Sequence, residues 1–247
     1  MTHHRVVTRD EWNEARAELL VHEKEQTRRK DELARQRRDL PWVEMDKDYV
    51  FDGDTGPVSF AELFGDHSQL VLYHLQFGPS YKAACPVNSS IGDCLNGLYP
   101  HLGARDVSLA LVSRAPVDRL TAYRQRMGWE IPWVSAADTD FSTDLGAAST
   151  EDQMQAFLAS PDVLNSLPPI VKHNAAATGT TVAAYLAEWP VLNVFARHEG
   201  TIYLTYSTTA RGLECVMGYY AILDRVPAGR DEGEAFQTWI RRHDEYA

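Results

Sequence analysis

A chain of 247 residues with 44% hydrophobic side chains can bury one sizeable core, and a formal net charge of −11 opposes bulk-charge binding to nucleic acid or anionic membrane. It holds no 18-residue apolar run, and its start "MTHHRVVTRDEW" lacks the apolar centre of a secretory signal, so the expectation is a cytoplasmic protein with neither nucleic acid nor membrane as partner. Three cysteines (Cys85, Cys94, Cys215) are too few for a disulfide framework, and each is expected as a thiol.

From Thr8 to about Asp39 the chain is rich in helix formers, holds no Gly or Pro, and offers Thr8 or Asp10 as N-cap. The spacing predicts one long helix. Its apolar residues are sparse: Trp12, Ala15 and Leu19 make a short stripe, Leu33 and Leu40 come later, and "HEKEQTRRKDE" is polar all round. A solvated arm and a helix docking on another subunit, giving a homo-oligomer, both stay open.

After "DLPW" the pattern changes to short apolar runs between helical stretches. "YVFDGDTGPVSFAELF" predicts a strand, a Gly-Asp turn and a short helix capped by Ser59, and "QLVLYHLQF" a buried strand. A helix is expected after Cys85, then the buried strand "DVSLALVSR", then a helix with Pro116 in its first turn and Gly128 at its end. Strand, helix, strand implies a parallel, right-handed unit. Residues 138–188 read as several helices separated by "LPP" and "ATG". "PVLNVFARHEGTIYLTYST" then predicts a hairpin turning at Glu199 and Gly200, "LECVMGYYAIL" a closing helix, and the tail an amphipathic helix with Phe236, Trp239 and Ile240 on one side. The expected organisation is an N-terminal helical arm over 1–41, an α/β domain over 42–228 with a helical insertion near 147–188, and a helical tail over 229–247.

That order, a central strand, a Cys opening a helix, strand, helix, Pro-led hairpin and last helix, resembles the thioredoxin fold. More specifically, "LPWV", "FDGDTGPVSFAELFGDHSQLVLYHLQFGP", "ARDVSLALVSRAP", "YRQRMGWEIPWVS", "TYSTTARGLE" and "LDRVPAGRDE" resemble the thioredoxin-like "domain of unknown function 899" family across most of Leu40 to Glu232. The resemblance implies an α/β thioredoxin-like fold with a long N-terminal helix and a helical insertion. It also implies that Pro190 is the cis-proline facing the cysteine. Two positions depart from the family pattern. Relatives usually carry Cys-x-x-Cys where this chain has Cys85-Pro86-Val87-Asn88, and a His is expected where Leu204 stands.

A Cys at a helix N-terminus meets unpaired backbone N–H groups and the positive end of the helix dipole, both of which favour thiolate. Lys82 could add a cation. A reactive thiol and an inert buried one both stay open for Cys85. Cys94 cannot be its disulfide partner, since nine helical residues separate the two by about 13 Å of rise; Cys94 and Cys215, among apolar neighbours, are expected in the core. Asn88 stands where a resolving thiol would, able to donate a hydrogen bond but not to be oxidised. The peroxiredoxin signature is not met either, because Lys82 occupies the hydroxyl position before Cys85.

The catalytic candidates are therefore Cys85, Asn88 and Pro190, and the substrate-binding candidates are Lys82, Arg114, Arg211, Tyr206 and His74. Arg114 and Arg211 follow apolar strands, where parallel sheets place functional side chains, although either could serve a structural ion pair. His74, inside a strand, reads more readily as a hydrogen-bonded core residue than as a base or ligand. No metal-ligand spacing, P-loop, nucleotide-binding Gly motif or nucleophile elbow is present, so neither metal nor cofactor is expected. The expected function is thiol-dependent redox or nucleophilic chemistry at a single cysteine, on a small molecule or protein thiol. The alternative is a non-redox thioredoxin-like domain that binds a small ligand, metal or partner.

Overall fold

The computed structural model describes residues 4–233 and 236–246 and divides into two units, Met1–Trp42 and Val43–Ala247. In the first unit, helix α1 runs Arg9–Arg38. Thr8 caps it reciprocally: its hydroxyl accepts from the Glu11 N–H (3.3 Å) and the Glu11 carboxylate accepts from the Thr8 N–H (2.9 Å). Acidic side chains in its first turn and basic ones in its last complement the dipole, and none of its residues is buried.

The second unit is built on one sheet. Its strands are β1 (Val43–Glu44), β2 (Val50–Gly53), β3 (Gly56–Ser59), β4 (Gln69–His74), β5 (Val107–Ser113), β6 (Trp133–Ser135), β7 (Val191–His198) and β8 (Thr201–Thr209). They lie in the order β1-β8-β7-β4-β5-β6-β2-β3. β4 pairs parallel with β5 and antiparallel with β7, and β7 pairs antiparallel with β8. A central strand between a parallel neighbour and an antiparallel hairpin, with a helix after each of the first two strands, is the thioredoxin-like arrangement. The β7–β8 turn falls at Glu199 (φ 51°) and Gly200 (φ 86°), as its sequence predicts.

Helices α2 (Pro86–Asn96), α3 (Tyr99–Gly103) and α4 (Val117–Arg126) follow the central strands. Pro116 is the N-cap of α4, just outside its expected place in the first turn, and Gly128 beyond the helix end has φ 62°. Between β6 and β7 lie α5 (Phe141–Asp144), α6 (Glu151–Leu158), α7 (Pro161–Ser166), α8 (Pro169–Thr178) and α9 (Val182–Leu186). The cap at Ser59 is also reciprocal, its hydroxyl accepting from the Glu62 N–H (3.3 Å) and Glu62 from the Ser59 N–H (2.7 Å), but the turn it opens is 3-10, Ala61–Phe64.

Two expected helices differ. The closing helix is split: a 3-10 stretch over Ala210–Val216 stops at Met217 (φ −93°, ψ 73°), and α10 (Gly218–Leu223) follows. The tail forms no amphipathic helix among its described residues, only turns and a 3-10 turn at His243–Glu245. Positive φ at Gly229, Asp231, Gly233 and Gln237 breaks any right-handed helix there.

The period-2 alternation of the strands sorts the apolar residues into two cores. Leu70, Leu72, Ala110, Val112 and Phe195 pack with Phe51, Phe60 and Phe141 on one face. Tyr73, Leu109 and Leu111 pack on the other with Ile91 and Leu95 of α2 and with Trp129 and Trp133. This second face carries Cys85. α2 approaches Trp129 so closely that a Cβ at Gly92 would lie 2.7 Å from the indole Cη2. The indole cannot yield, since its Nε1 donates to Asp93 (2.7 Å) and its ring packs on Tyr123 and Trp133. Helix propensity favours alanine over glycine by about 1 kcal/mol, but overpacking of about 1–3 kcal/mol prevails. Gly92→Ala is therefore expected to lower the urea midpoint, and a raised midpoint would show that the indole has room to move.

Candidate functional site

β4 delivers the chain to the loop before α2, where Cys85 is the N-cap and Pro86 the first helical residue. The Cys85 N–H donates to the Gln76 carbonyl (3.0 Å), tying the cap to the end of the strand. The thiol is enclosed, with 0% of the residue exposed, and its Sγ lies 3.5 Å from the Tyr185 hydroxyl. Burial, and then the nearby thiol, push the Tyr185 phenol well above its ordinary pKa, so it stays protonated.

Asn88 occupies the expected face of α2 but turns its amide away from the thiol. Its Oδ1 accepts from the Tyr73 hydroxyl (2.8 Å) and the Gln76 N–H (3.2 Å), and its Nδ2 donates to Gln76 Oε1 (3.1 Å). The Gln76 side chain in turn donates to the Glu188 carbonyl. The Tyr185 hydroxyl accepts from Asn174 Nδ2 (3.1 Å) and donates to Gln76 Oε1 (3.4 Å). Gln76, Asn88, Asn174 and Tyr185 thus form one buried polar network beside Cys85.

These four residues line a pocket of about 220 Å³. Val87 and Ile91 of α2, Ile170 and Val171 of α8, and Leu213 and Met217 supply apolar wall, while Phe236 and Gln237 bring the tail to its edge. Cys85 does not line it. The site is an apolar cavity with a few convergent amides, and the enclosed thiol lies behind Tyr185.

The other candidates separate. Pro190 lines the pocket, but no cis peptide bond occurs among the described residues, so the expected cis-proline is corrected to a trans one. The Trp189 N–H beside it donates to the Ala147 carbonyl (2.8 Å), and the Pro190 carbonyl accepts from the Thr209 hydroxyl (2.6 Å). Both bonds belong to the insertion and hairpin contacts of this chain. Arg211 reaches the pocket edge, where it pairs with Glu214 (2.8 Å). Tyr206 stands on β8 opposite Val194 and does not line the pocket. Lys82 lays its stem along Gly179, where a Cβ would meet it at 2.8 Å.

His74 and Arg114 come together on a residue that the motifs passed over. Glu188, 1% exposed, accepts from Arg114 Nε at Oε1 (2.8 Å), with Arg114 Nη2 also 2.8 Å from that oxygen as an ion pair, and its Oε2 lies 3.5 Å from His74 Nε2. A carboxylate inside the apolar run "YLAEWP" is the signal for such a partner, since a buried charge needs a counter-charge. Arg242 was also missed: buried at 5% exposure, it donates to the Ala84 carbonyl (3.1 and 2.7 Å) and the Ala177 carbonyl (3.0 Å). Cys215 is exposed rather than in the core, whereas Cys94 is half-buried and its thiol is raised by burial. No helix of the described residues is long and apolar enough to cross a membrane, and no three His, Cys, Asp or Glu among them gather as a metal would need.

Similarity in fold reaches several solved structures. The peroxidoxin BcpB from Mycobacterium tuberculosis is 11% identical, matching 72% of this chain and 95% of that one at a TM-score of 0.46. Peroxiredoxin Q from Xanthomonas campestris is 14% identical, over 69% and 88%, at 0.44. A hypothetical protein from Sinorhizobium meliloti 1021 is 14% identical, over 70% and 74%, at 0.42. No curated protein matches the chain. The family model described as "Bacterial protein of unknown function (DUF899)" matches residues 1–246, and the chain belongs to that family.

Proposed function

We propose that this thioredoxin-fold chain binds a small, largely apolar molecule in the pocket between α2, α8 and the 3-10 stretch Ala210–Val216. The observation that carries the reading is the contrast at the site: an apolar cavity with Gln76, Asn88 and Asn174 in its wall, beside a thiol with no exposed surface. A pocket of this kind orients an apolar body with a few fixed polar groups. An enclosed thiol with no exposed surface is poorly placed to attack a protein disulfide.

Thiol chemistry on the bound molecule is the second reading. It draws on the Tyr185 hydroxyl, which belongs to the pocket wall and also lies 3.5 Å from Cys85 Sγ. It requires that ring to move, since Cys85 does not line the pocket.

Titration with anilinonaphthalene sulfonate, an apolar probe, tests the first reading. Saturable one-to-one binding is expected, weakened at least about tenfold, or about 1.4 kcal/mol, by Ile170→Trp with the circular dichroism unchanged. Binding that ignores Ile170→Trp would remove the pocket reading. Competitive iodoacetamide labelling decides about the thiol: Cys215 is expected to label first and Cys85 last. Cys85 labelling first would replace ligand binding with thiol chemistry.

A further inference from the structure

Helix α1 carries exposed apolar side chains, and apart from Leu20 and Val21 its large ones recur at a fixed interval. Trp12, Leu19 and Leu33, with Leu40 just past the helix end, are 49%, 53%, 46% and 45% exposed. They are members of one series with a step of seven residues, and Gln26 fills its middle place. Residues seven apart on a helix lie within about 20° of one another, so Trp12, Leu19, Gln26 and Leu33 form one slowly drifting stripe along α1, which Leu40 continues just past its end.

The series is symmetric about Gln26, and the charges are antisymmetric about it. Arg9 to Gln26 holds six acidic and three basic side chains, and Thr27 to Arg38 holds two acidic and six basic ones. One half is net −3 and the other net +4. Two parallel copies would set like halves together, whereas two antiparallel copies set each acidic half against a basic one.

From this we infer that α1 is a dimerisation helix, pairing antiparallel with α1 of a second copy about a two-fold axis at Gln26. In that register Leu19 packs on the partner's Leu33, Trp12 reaches the partner's Leu40, and the two Gln26 side chains meet at the axis. A polar residue at a central seam position fixes register and orientation at some cost in stability, which is the part Gln26 plays. Glu23 and Lys30, three before and four after Gln26, face each other across the pair and meet twice. Arg16 faces the partner's Arg37, an unfavourable contact, but its hydrogen bond to Glu23 (2.7 Å) draws its guanidinium toward the middle of the helix. With few apolar layers, the charges select the orientation, and the dimer is expected to weaken as salt rises.

Sedimentation equilibrium of the full chain tests the inference. The wild type is expected at twice the 27.8 kDa chain mass. Leu19→Lys with Leu33→Lys should give single chains, while Ala17→Lys on the opposite face should leave the dimer intact. Glu23→Lys or Lys30→Glu alone should weaken the dimer, and the two together restore it. All of these positions are exposed, so loss of folding is not expected and circular dichroism checks it. A wild type that stays single at its solubility limit, or a dimer indifferent to the two lysines, overturns the inference. Orientation is read separately in a Cys215→Ser background under mild oxidation. Leu19→Cys with Leu33→Cys should link two chains and Leu19→Cys alone should not; linkage through Leu19→Cys alone would mean a parallel pair and would also overturn it. None of these outcomes bears on the pocket reading.

Discussion

Arg114→Ala is expected to lower the unfolding free energy by about 3–5 kcal/mol, the range for removing one member of a buried ion pair. The size follows from what is left behind. Glu188 is 1% exposed at its side chain, and without the guanidinium the ion-pair partner left to its carboxylate among the described residues is His74, 3.5 Å away. It cannot move out to water either, because the Gly78 backbone lies against it: a Cβ there would stand 2.9 Å from Glu188 Cγ. The reverse deletion should cost less. Glu188→Gln frees an arginine side chain that is 22% exposed and can be solvated, so about 1–3 kcal/mol is expected, the scale of a lost charged hydrogen bond. Arg114→Met with Glu188→Gln removes both charges and should be milder than Arg114→Ala alone. Urea unfolding of the three variants is the measurement. If Arg114→Ala stays within about 0.5 kcal/mol of wild type, as ordinary surface substitutions do, the carboxylate is not held by this pair.

The ion pair also marks where reading the sequence stops. Signals decided within one turn of chain were legible: Thr8 as one of two N-caps on offer, the turn at Glu199 and Gly200, the glycine after α4, and the buried strand at Gln69–His74. The parallel pairing of β4 with β5 and the β7–β8 hairpin followed from these, because a strand-helix-strand pattern closed by a hairpin admits few topologies, whereas the short strands β1, β3 and β6 were not legible. Side-chain partners were not legible. Arg114, after an apolar strand, and His74, inside one, both read as neighbours of Cys85, but 74 residues separate Arg114 from the carboxylate it serves. Asn88 lies on α2, and its amide bonds Gln76 and Tyr73, partners that the spacing of the helix does not reveal because they come from β4 and the loop after it. The tail failed for a related reason. Its apolar residues have helical spacing, but positive φ at Gly229 and Gly233 and the distant hold on Arg242 decide its path.

Arg242→Ala is the other substitution with a large expected effect. The guanidinium donates to the carbonyls of Ala84 and Ala177, the first directly before Cys85 and the second in the last turn of α8. Truncation leaves the buried Ala84 carbonyl and the half-buried Ala177 carbonyl without that donor, at about 1–3 kcal/mol for each group stripped of its partner, so a loss of about 2–6 kcal/mol is expected. Arg242→Lys keeps the charge but presents a single ammonium where a planar fork spans two acceptors, and should recover only part of the loss. A purely global effect would raise the reactivity of every buried thiol alike. A local one would differ, because Arg242 holds the loop that carries Cys85 and closes the segment whose Phe236 and Gln237 edge the pocket. Under conditions where Arg242→Lys remains folded, Cys85 is therefore expected to alkylate faster than in wild type, while half-buried Cys94 keeps its wild-type rate. Equal acceleration of both thiols would mean that Arg242 contributes to stability alone, with no particular hold on the start of α2.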